Sequence, residues 1–457
     1  MPRLNALAGT LLGALAAWLE VPHPFVDYDT SYALLWGSNL AHGRTPDYSV
    51  ALAPTPHPLA ELAGIALAPL GDGAETAAVV IAYLALGALG YLTYRLGAAW
   101  FGAPAGLLAA AIVLTRVPVL SFGVRAYVDI PYVALVLAAL LAETRRPRAG
   151  APVLALLGLA GLLRPEAWLF AAAYLAWVGR GRARREVLGL AALAAAAPAL
   201  WLASDWLIAG NALHSLTGTR DTARTLQRRT GLASVPLVAP RRLGEILREP
   251  VLVGAAGGGL LALAWLRERA TLLALAVAGS LAAFCVLAAA GLPVIGRYLL
   301  LPATIMAIFG GAGAFGWMQL RIGDSRRHAW MGFAALAAVL FAAFAPAQVS
   351  RVRSLRADIA IQRGIRDDLH AVARSIAPGC GPVAVPNHRP LPLLGLWGAR
   401  GVLPPPARGY YLDPASGSVE RNFMLDAHDA SRVVASVPPG FALVARNASW
   451  RLFARCG

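Results

Sequence analysis

A chain of 457 residues with 58% hydrophobic residues, only 14% charged residues and a mean hydropathy of +0.60 lies far outside the range of soluble domains and reads as a polytopic membrane protein. Its net charge of +16 comes from 40 basic residues that are all arginine. With abundant alanine and glycine that fits a GC-rich coding sequence; the charge suits anionic lipid headgroups or lipid phosphates and excludes the aromatic-interleaved basic surface of a nucleic-acid binder.

A spanning helix needs roughly 20 apolar residues. About eleven stretches qualify when short ones include their flanks: 4–20, 75–95, 103–120, 128–144, 151–163, 165–179, 186–204, 250–266, 271–290, 298–317 and 329–346. The first, with Arg3 and Ala14-Leu15-Ala16, also resembles a cleavable signal peptide; under either reading Asp27 and Asp29 emerge on the outer face. In the pair around 151–179, Arg164-Pro165-Glu166 favours a break between two short helices. If the helices alternate, Arg3, Arg95, the groups Arg145–Arg148 and Arg180–Arg185, Arg267/Arg269 and Arg321–Arg327 fall on one side, the cytoplasm. The loop 205–249 breaks the rule with seven arginines on the opposite face, where amphipathic helices lying on the membrane are expected.

Beyond residue 346 the hydrophobic spans stop. "IQRGIRDDLHAVARSIAPG" reads as an amphipathic helix ended by Pro378-Gly379, and "GPVAVP", "RVVAS" and "FALVAR" read as strands between turns. The expected fold class is therefore a polytopic α-helical membrane protein of about eleven transmembrane helices, residues 1–345 with a first outer loop 21–74, followed by a small α/β extracytoplasmic C-terminal domain, 346–457. Cys380 and Cys456 lie on the oxidising side, so a disulfide clamping the end of the chain is one reading; Cys285 sits in an apolar span as packing.

The chemistry gathers at one face. In "FVDYDTSYALLWGSNLAHG" a short interfacial helix is expected after Asp29, which holds two carboxylates at the water boundary. Taken alone, Asp29 is equally a cap for a helix starting at Thr30, and Asp27 a solvated loop charge. Four more polar clusters fall on the same side: Arg125 to Pro131, Arg164-Pro165-Glu166, the loop from Arg220 to Arg242, and Arg297-Tyr298. Ionisable residues at membrane depth are functional candidates. An acid that activates a nucleophile, beside guanidinium forks that match phosphate oxygens, is the chemistry this set suggests.

The order and sidedness of "VDYDTSYALLWGSNLAHG", "PTPHPL", "RAYVDIPY" and "LLRPEAW" resemble the GT-C glycosyltransferases, integral-membrane enzymes that use polyprenyl-phosphate sugars, mannosyltransferases and arabinosyltransferases among them. The resemblance covers roughly residues 1–345. It implies transfer of a sugar from a polyprenyl-phosphate donor to an acceptor hydroxyl on a glycan, lipid or protein, at the outer face of a bacterial cytoplasmic membrane, with the N-terminus cytoplasmic. It also implies that Asp29 is the base, with Asp27 as helper or alternative. Arg125, Asp129, Arg164, Glu166, Arg297 and Tyr298 would bind the donor's phosphate or shape the sugar pocket, and His57 belongs to the same site less firmly. The family's usual acidic pair "DE" is replaced here by D-x-D, which leaves open the choice of base and whether Asp27 and Asp29 hold a divalent cation, magnesium or manganese. No Walker loop, close Cys/His cluster or G-x-S-x-G occurs. A transporter or flippase of lipid-linked sugars and an envelope assembly scaffold are the alternatives; the first sits poorly with the lack of similarity between the two halves.

Overall fold

The computed structural model describes residues 2–50, 52–403, 405–424 and 437–456; "RVVAS" lies outside the described residues. Ten of the eleven expected segments each coincide with one helix, and 103–120 is divided between two. In chain order these are α1 (Pro2–Glu20); α2 (Tyr28–Ala41) and α3 (Pro58–Leu67) in the first loop; α4 (Gly73–Phe101), α5 (Ala103–Thr115), α6 (Val117–Val124), α7 (Asp129–Arg145), α8 (Ala151–Gly161), α9 (Glu166–Val178) and α10 (Arg184–Ala209); α11 (His214–Thr225) and α12 (Val235–Leu247) in the second long loop; then α13 (Glu249–Trp265), α14 (Arg267–Ala289), α15 (Leu300–Phe315) and α16 (Ser325–Ala373). Among the described residues, five spans are long and apolar enough to cross a bilayer singly: Gly73–Phe101, Arg184–Ala209, Arg267–Ala289, Gly296–Gln319 and Ser325–Ala373. The protein is a multi-pass membrane protein.

Segment 103–120 is not one helix. It breaks at Arg116, whose backbone is extended, and α6 leaves α5 at 63°. Pro118 is the cause, since its ring would strike the carbonyl of Leu114 in a continuous helix. The expected break at Arg164-Pro165 is present between α8 and α9.

Small residues let the helices approach. A Cβ on Gly87 of α4 would stand 2.0 Å from the carbonyl oxygen of Thr10, so α1 is seated against α4 as part of the bundle. The span around α15 lies at the centre, almost wholly buried, and touches α5 and α13 backbone to backbone at Gly311 and Gly258. The apolar stretches of α10 and α16 are the least covered by the rest of the bundle among the five spans.

Helix α16 is the chief departure from the expected division at 345/346. Its 49 residues run through Pro346 without a break, so the amphipathic segment 361–373 is the end of the last span rather than a separate helix. The chain beyond Pro346 finds its own core. That core comprises Ile365, Leu369 and Val372 against strands β1 (Val383–Ala384), β2 (Gly401–Val402), β3 (Gly409–Pro414), β4 (Ala442–Arg446) and β5 (Trp450–Arg455), with α17 (Leu391–Leu396) between β1 and β2. The sheet order is β2-β1-β3-β5-β4, parallel across β2-β1-β3 and antiparallel at β3-β5-β4. A disulfide joins Cys380 to Cys456.

The C-terminal domain is pinned to the first loop and the start of α4. Arg366 pairs with Glu75 and donates to the carbonyl of Val26, Trp397 donates to Glu75 at 3.2 Å, and α17 packs on α2.

Candidate active site

The chain enters the site as an extended strand. Phe25 and Asp27 donate backbone N–H groups to the carbonyls of Val124 and Arg125 at 3.1 and 2.9 Å, and Thr30 Oγ1 donates to the carbonyl of Ala126 at 2.7 Å. Ala126 holds φ 61° to present that carbonyl, a left-handed conformation that a residue with a Cβ adopts at a cost of roughly 1–2 kcal/mol. The first loop and the turn before α7 are thereby clamped together.

Asp27, not Asp29, caps the helix that follows: its Oδ1 accepts from the N–H of Thr30 at 3.0 Å. Asp29 falls in the first turn of α2 and projects the other way, to Nη1 of Arg297 at 2.7 Å, each side chain 20% exposed. Helix α2 is held down by α3, where a Cβ on Gly64 would stand 2.5 Å from the carbonyl oxygen of Ala33.

The two carboxylates have opposite characters. Burial alone would push Asp29 up, but the Arg297 guanidinium overrides it and holds the carboxyl below the usual carboxylate range. Asp27 is 5% exposed; burial first, and then the charge of Asp29, push it up to about 7. His57 precedes α3, and burial, with the nearby charge of Arg164, lowers its imidazole to about 3. It is a neutral ring against Trp201, with a buried Nδ1 that has no hydrogen-bond partner among the described residues.

Three cavities meet at this point. The largest of the three, ≈ 480 Å³, is the most polar, with about half of its surface polar, and its wall includes Tyr28, Asp29, Arg228, Arg242 with Glu245, Arg297, His388 and Arg389. A second, ≈ 270 Å³, is lined by Tyr48 and His214 with Thr55, Thr219, Thr222 and Asp221. The third, ≈ 260 Å³, is apolar: Trp168, Trp201, Leu202 and Val286 form its walls, and His57, Arg164, Glu166, Arg297 and Tyr298 stand at its polar end. Thr55 and Thr219 line all three, their hydroxyls 2.6 Å apart, so this pair is the partition between them. Arg297 faces both the polar and the apolar chamber and carries Asp29 with it.

The expected residues thus separate into two groups. Asp29, His57, Arg164, Glu166, Arg297 and Tyr298 line cavities. Asp27, Arg125 and Asp129 stand behind the walls. Arg125 donates to Gln362 of α16 at 2.8 and 3.2 Å and to Ser121, tying the turn to the outer part of the chain. Asp129 pairs with Arg164, which also binds Glu166 at 2.7 Å and lies 4.2 Å from the ring centre of Tyr298. Arg164 therefore already has two buried carboxylates, and its charge is spent within the wall.

The two carboxylates offered for a divalent cation diverge. One carboxylate is a helix cap and the other an arginine partner, and among the described residues no three His, Cys, Asp or Glu side chains gather as ligands, against the six or more oxygens such an ion takes. Two wall residues carry no signal in the local sequence. His388 and Arg389 come from the C-terminal domain and stand against Tyr28 at 4.9 and 5.6 Å. Their only mark is the dipeptide's place before Pro390, which opens α17.

Neither a protein-family model nor a curated protein matches the sequence. Solved structures do match in fold. ArnT from Cupriavidus metallidurans bound to undecaprenyl phosphate superposes with a TM-score of 0.57 at 14% identity, covering 99% of this chain and 97% of that one. The apo state of the same protein gives 0.54 at 13%, over 99% and 98%. The arabinofuranosyltransferase AftD from mycobacteria gives 0.55 at 15%, with 99% of this chain lying on 40% of that longer one. The fold is that of the GT-C membrane glycosyltransferases.

Proposed function

We propose that this protein transfers a sugar from a polyprenyl-phosphate donor to an acceptor hydroxyl at the outer face of a bacterial cytoplasmic membrane. The observation that carries the reading is the position of Asp29. It is ionised, held by Arg297, and stands where an arginine-lined polar chamber meets an apolar chamber walled by tryptophan and aliphatic side chains. An amphiphile with a phosphate between a sugar and a long hydrocarbon matches that sequence of surroundings. ArnT, with the same fold, binds undecaprenyl phosphate.

In the reaction the acceptor hydroxyl gives its proton to Asp29 as its oxygen bonds to the sugar's anomeric carbon. The bond from that carbon to the phosphate oxygen breaks, and the electron pair leaves with the lipid phosphate. Arg297, with Arg228 and Arg389 around the same chamber, stabilises the charge that develops there. Because the Arg297 pair keeps Asp29 ionised, the base is ready at neutral pH and below. Asp27 fixes the geometry through its cap.

The orientation is part of the proposal. The N-terminus is cytoplasmic and the outer domain extracytoplasmic, which puts the arginine-rich short loops in the cytoplasm. The acceptor, a glycan, lipid or protein, enters beneath the outer domain at His388 and Arg389.

The test is sugar transfer from a radiolabelled polyprenyl-phosphate sugar in membranes holding matched amounts of wild type or Asp29→Asn. Loss of a general base predicts a fall of about 10²- to 10⁴-fold with donor binding kept. Full activity of the variant overturns the mechanism. It would then point to a transporter of lipid-linked sugars or an assembly scaffold, which need no base.

A further inference from the structure

A fourth cavity lies apart from the reaction chambers. It is a groove of ≈ 270 Å³ between α5, α13 and α16, where three arginines converge: Arg116 at the α5–α6 break, Arg248 at the bend before α13, and Arg351 just past Pro346. Below them the walls are apolar, formed by Leu108, Ile112, Phe341 and Phe344. None of the three arginines lines the chambers around Asp29.

The charges here are poorly compensated. No acidic residue lines the groove. Arg116 is 9% exposed and donates to the carbonyl of Leu247 at 3.1 Å and to Thr115 Oγ1 at 3.2 Å, both neutral acceptors. Glu20 acts on it from a distance, while Arg248 and Arg351 repel it. Arg248 reaches Glu249 at 3.3 Å, but that carboxylate is 62% exposed. Arg351 has no ion pair among the described residues. The Nε atoms of Arg116 and Arg248 are buried without a hydrogen-bond partner among the described residues. Such donors and three like charges are costly unless an anion joins them.

Depth and shape say which anion. Helix α5, with 13 residues, and helix α13, with 17, rise about 20 and 25 Å from the opposite end of the bundle to Arg116 and Arg248. In a hydrocarbon core about 30 Å thick that level approaches the headgroup boundary. A free ion would meet the arginines but leave the apolar walls unfilled. An anionic lipid satisfies both, with its phosphate in the guanidinium forks and one chain along Leu108 and Phe341.

We propose that this groove is a structural site for an anionic membrane phospholipid, independent of the sugar-transfer reaction. Its occupant joins the broken helix α5–α6 to α13 and to the helix that carries the outer domain.

The test is native mass spectrometry of the full chain in mild detergent after equilibration with phosphatidylglycerol or with phosphatidylcholine of the same chains. Phosphatidylglycerol is expected to be retained at least about fivefold more, and Arg351→Gln or Arg116→Gln to lower its retention about fivefold each, the worth of one arginine at a membrane surface. Inorganic phosphate at equal concentration should not displace it. Arg116 has structural bonds, so a second variant, Val349→Glu, places a carboxylate at the partly exposed rim of the groove and should abolish retention with the arginines intact. Equal retention of the two lipids, retention unchanged in both Arg351→Gln and Val349→Glu, or displacement by inorganic phosphate would each overturn the proposal.

Discussion

Replacing Asp27 separates its part in the site from that of Asp29, because asparagine can do one half of what the aspartate does. The residue caps α2 through the N–H of Thr30 at 3.0 Å and also carries a buried charge next to Asp29. Asparagine caps as well as aspartate, while alanine loses the bond at a cost of about 1 kcal/mol. The charge acts in the opposite sense. With the folded carboxyl raised from its ordinary 3.8 to about 7, the folded state binds the proton more tightly than the unfolded one. Stability from that proton is fully present below pH 4 and is lost as pH rises towards 7. Three pH units set an upper bound of about 4 kcal/mol on the loss. Thermal unfolding of the detergent-solubilised protein at pH 5 and pH 8, followed by tryptophan fluorescence, reads it directly. Wild type should soften between the two, Asp27→Asn should soften less because burial also raises Glu61 to about 7, and Asp27→Ala should lie below Asp27→Asn at both. Sugar transfer by Asp27→Asn should persist. A dead but fully folded Asp27→Asn would make Asp27 the base and refute the division of labour argued here.

Three further outcomes follow from the geometry. Arg164→Gln strands Asp129 and Glu166 in the wall and should cost about 3–5 kcal/mol of stability; neutralising all three, as Asp129→Asn with Arg164→Gln and Glu166→Gln, should recover much of it in the same unfolding assay. Arg389→Ala should raise the KM for donor or acceptor severalfold while thermal unfolding stays unchanged, since the side chain stands on the cavity wall against Tyr28. Cys380→Ser opens a loop of 76 residues and should destabilise the outer domain by about 4–5 kcal/mol on the chain-entropy account, seen as earlier proteolysis within 374–457 and mimicked by reductant on the wild type.

What could be read from the sequence was whatever the bilayer itself enforces. An apolar run long enough to span has few other fates, so most of the apolar segments were visible as helices, and Pro165 marked a break because it follows a charged residue, removes a ladder donor and crowds the preceding turn. Pro118 carried the same signal inside 103–120, but the apolar residues around it concealed the break. The acids of the first loop were visible as charges where charge is expensive. Their division of labour was not, since a cap and an ion pair differ only in which way a carboxylate points, and Arg297, which decides it, lies 268 residues away. Pairing across the fold likewise hid the fate of Arg164 and turned Arg125 towards Gln362. Nothing in a local window announces His388 and Arg389, because α16 and the sheet bring them to the site from the far end of the chain.

Helix α16 is, in mechanical terms, a rod. Its 49 residues measure about 74 Å, anchored in the bundle at one end and in the outer sheet at the other. A tilt of about 3° would carry its tip about 4 Å, roughly the width of a sugar ring. The Gln362 and Arg366 contacts brace it to the turn before α7 and to Glu75, not far from that tip, and so they act as a stop. The roof over Asp29 cannot swing freely as a tethered flap would; to widen the entrance, the whole beam has to lean against its braces.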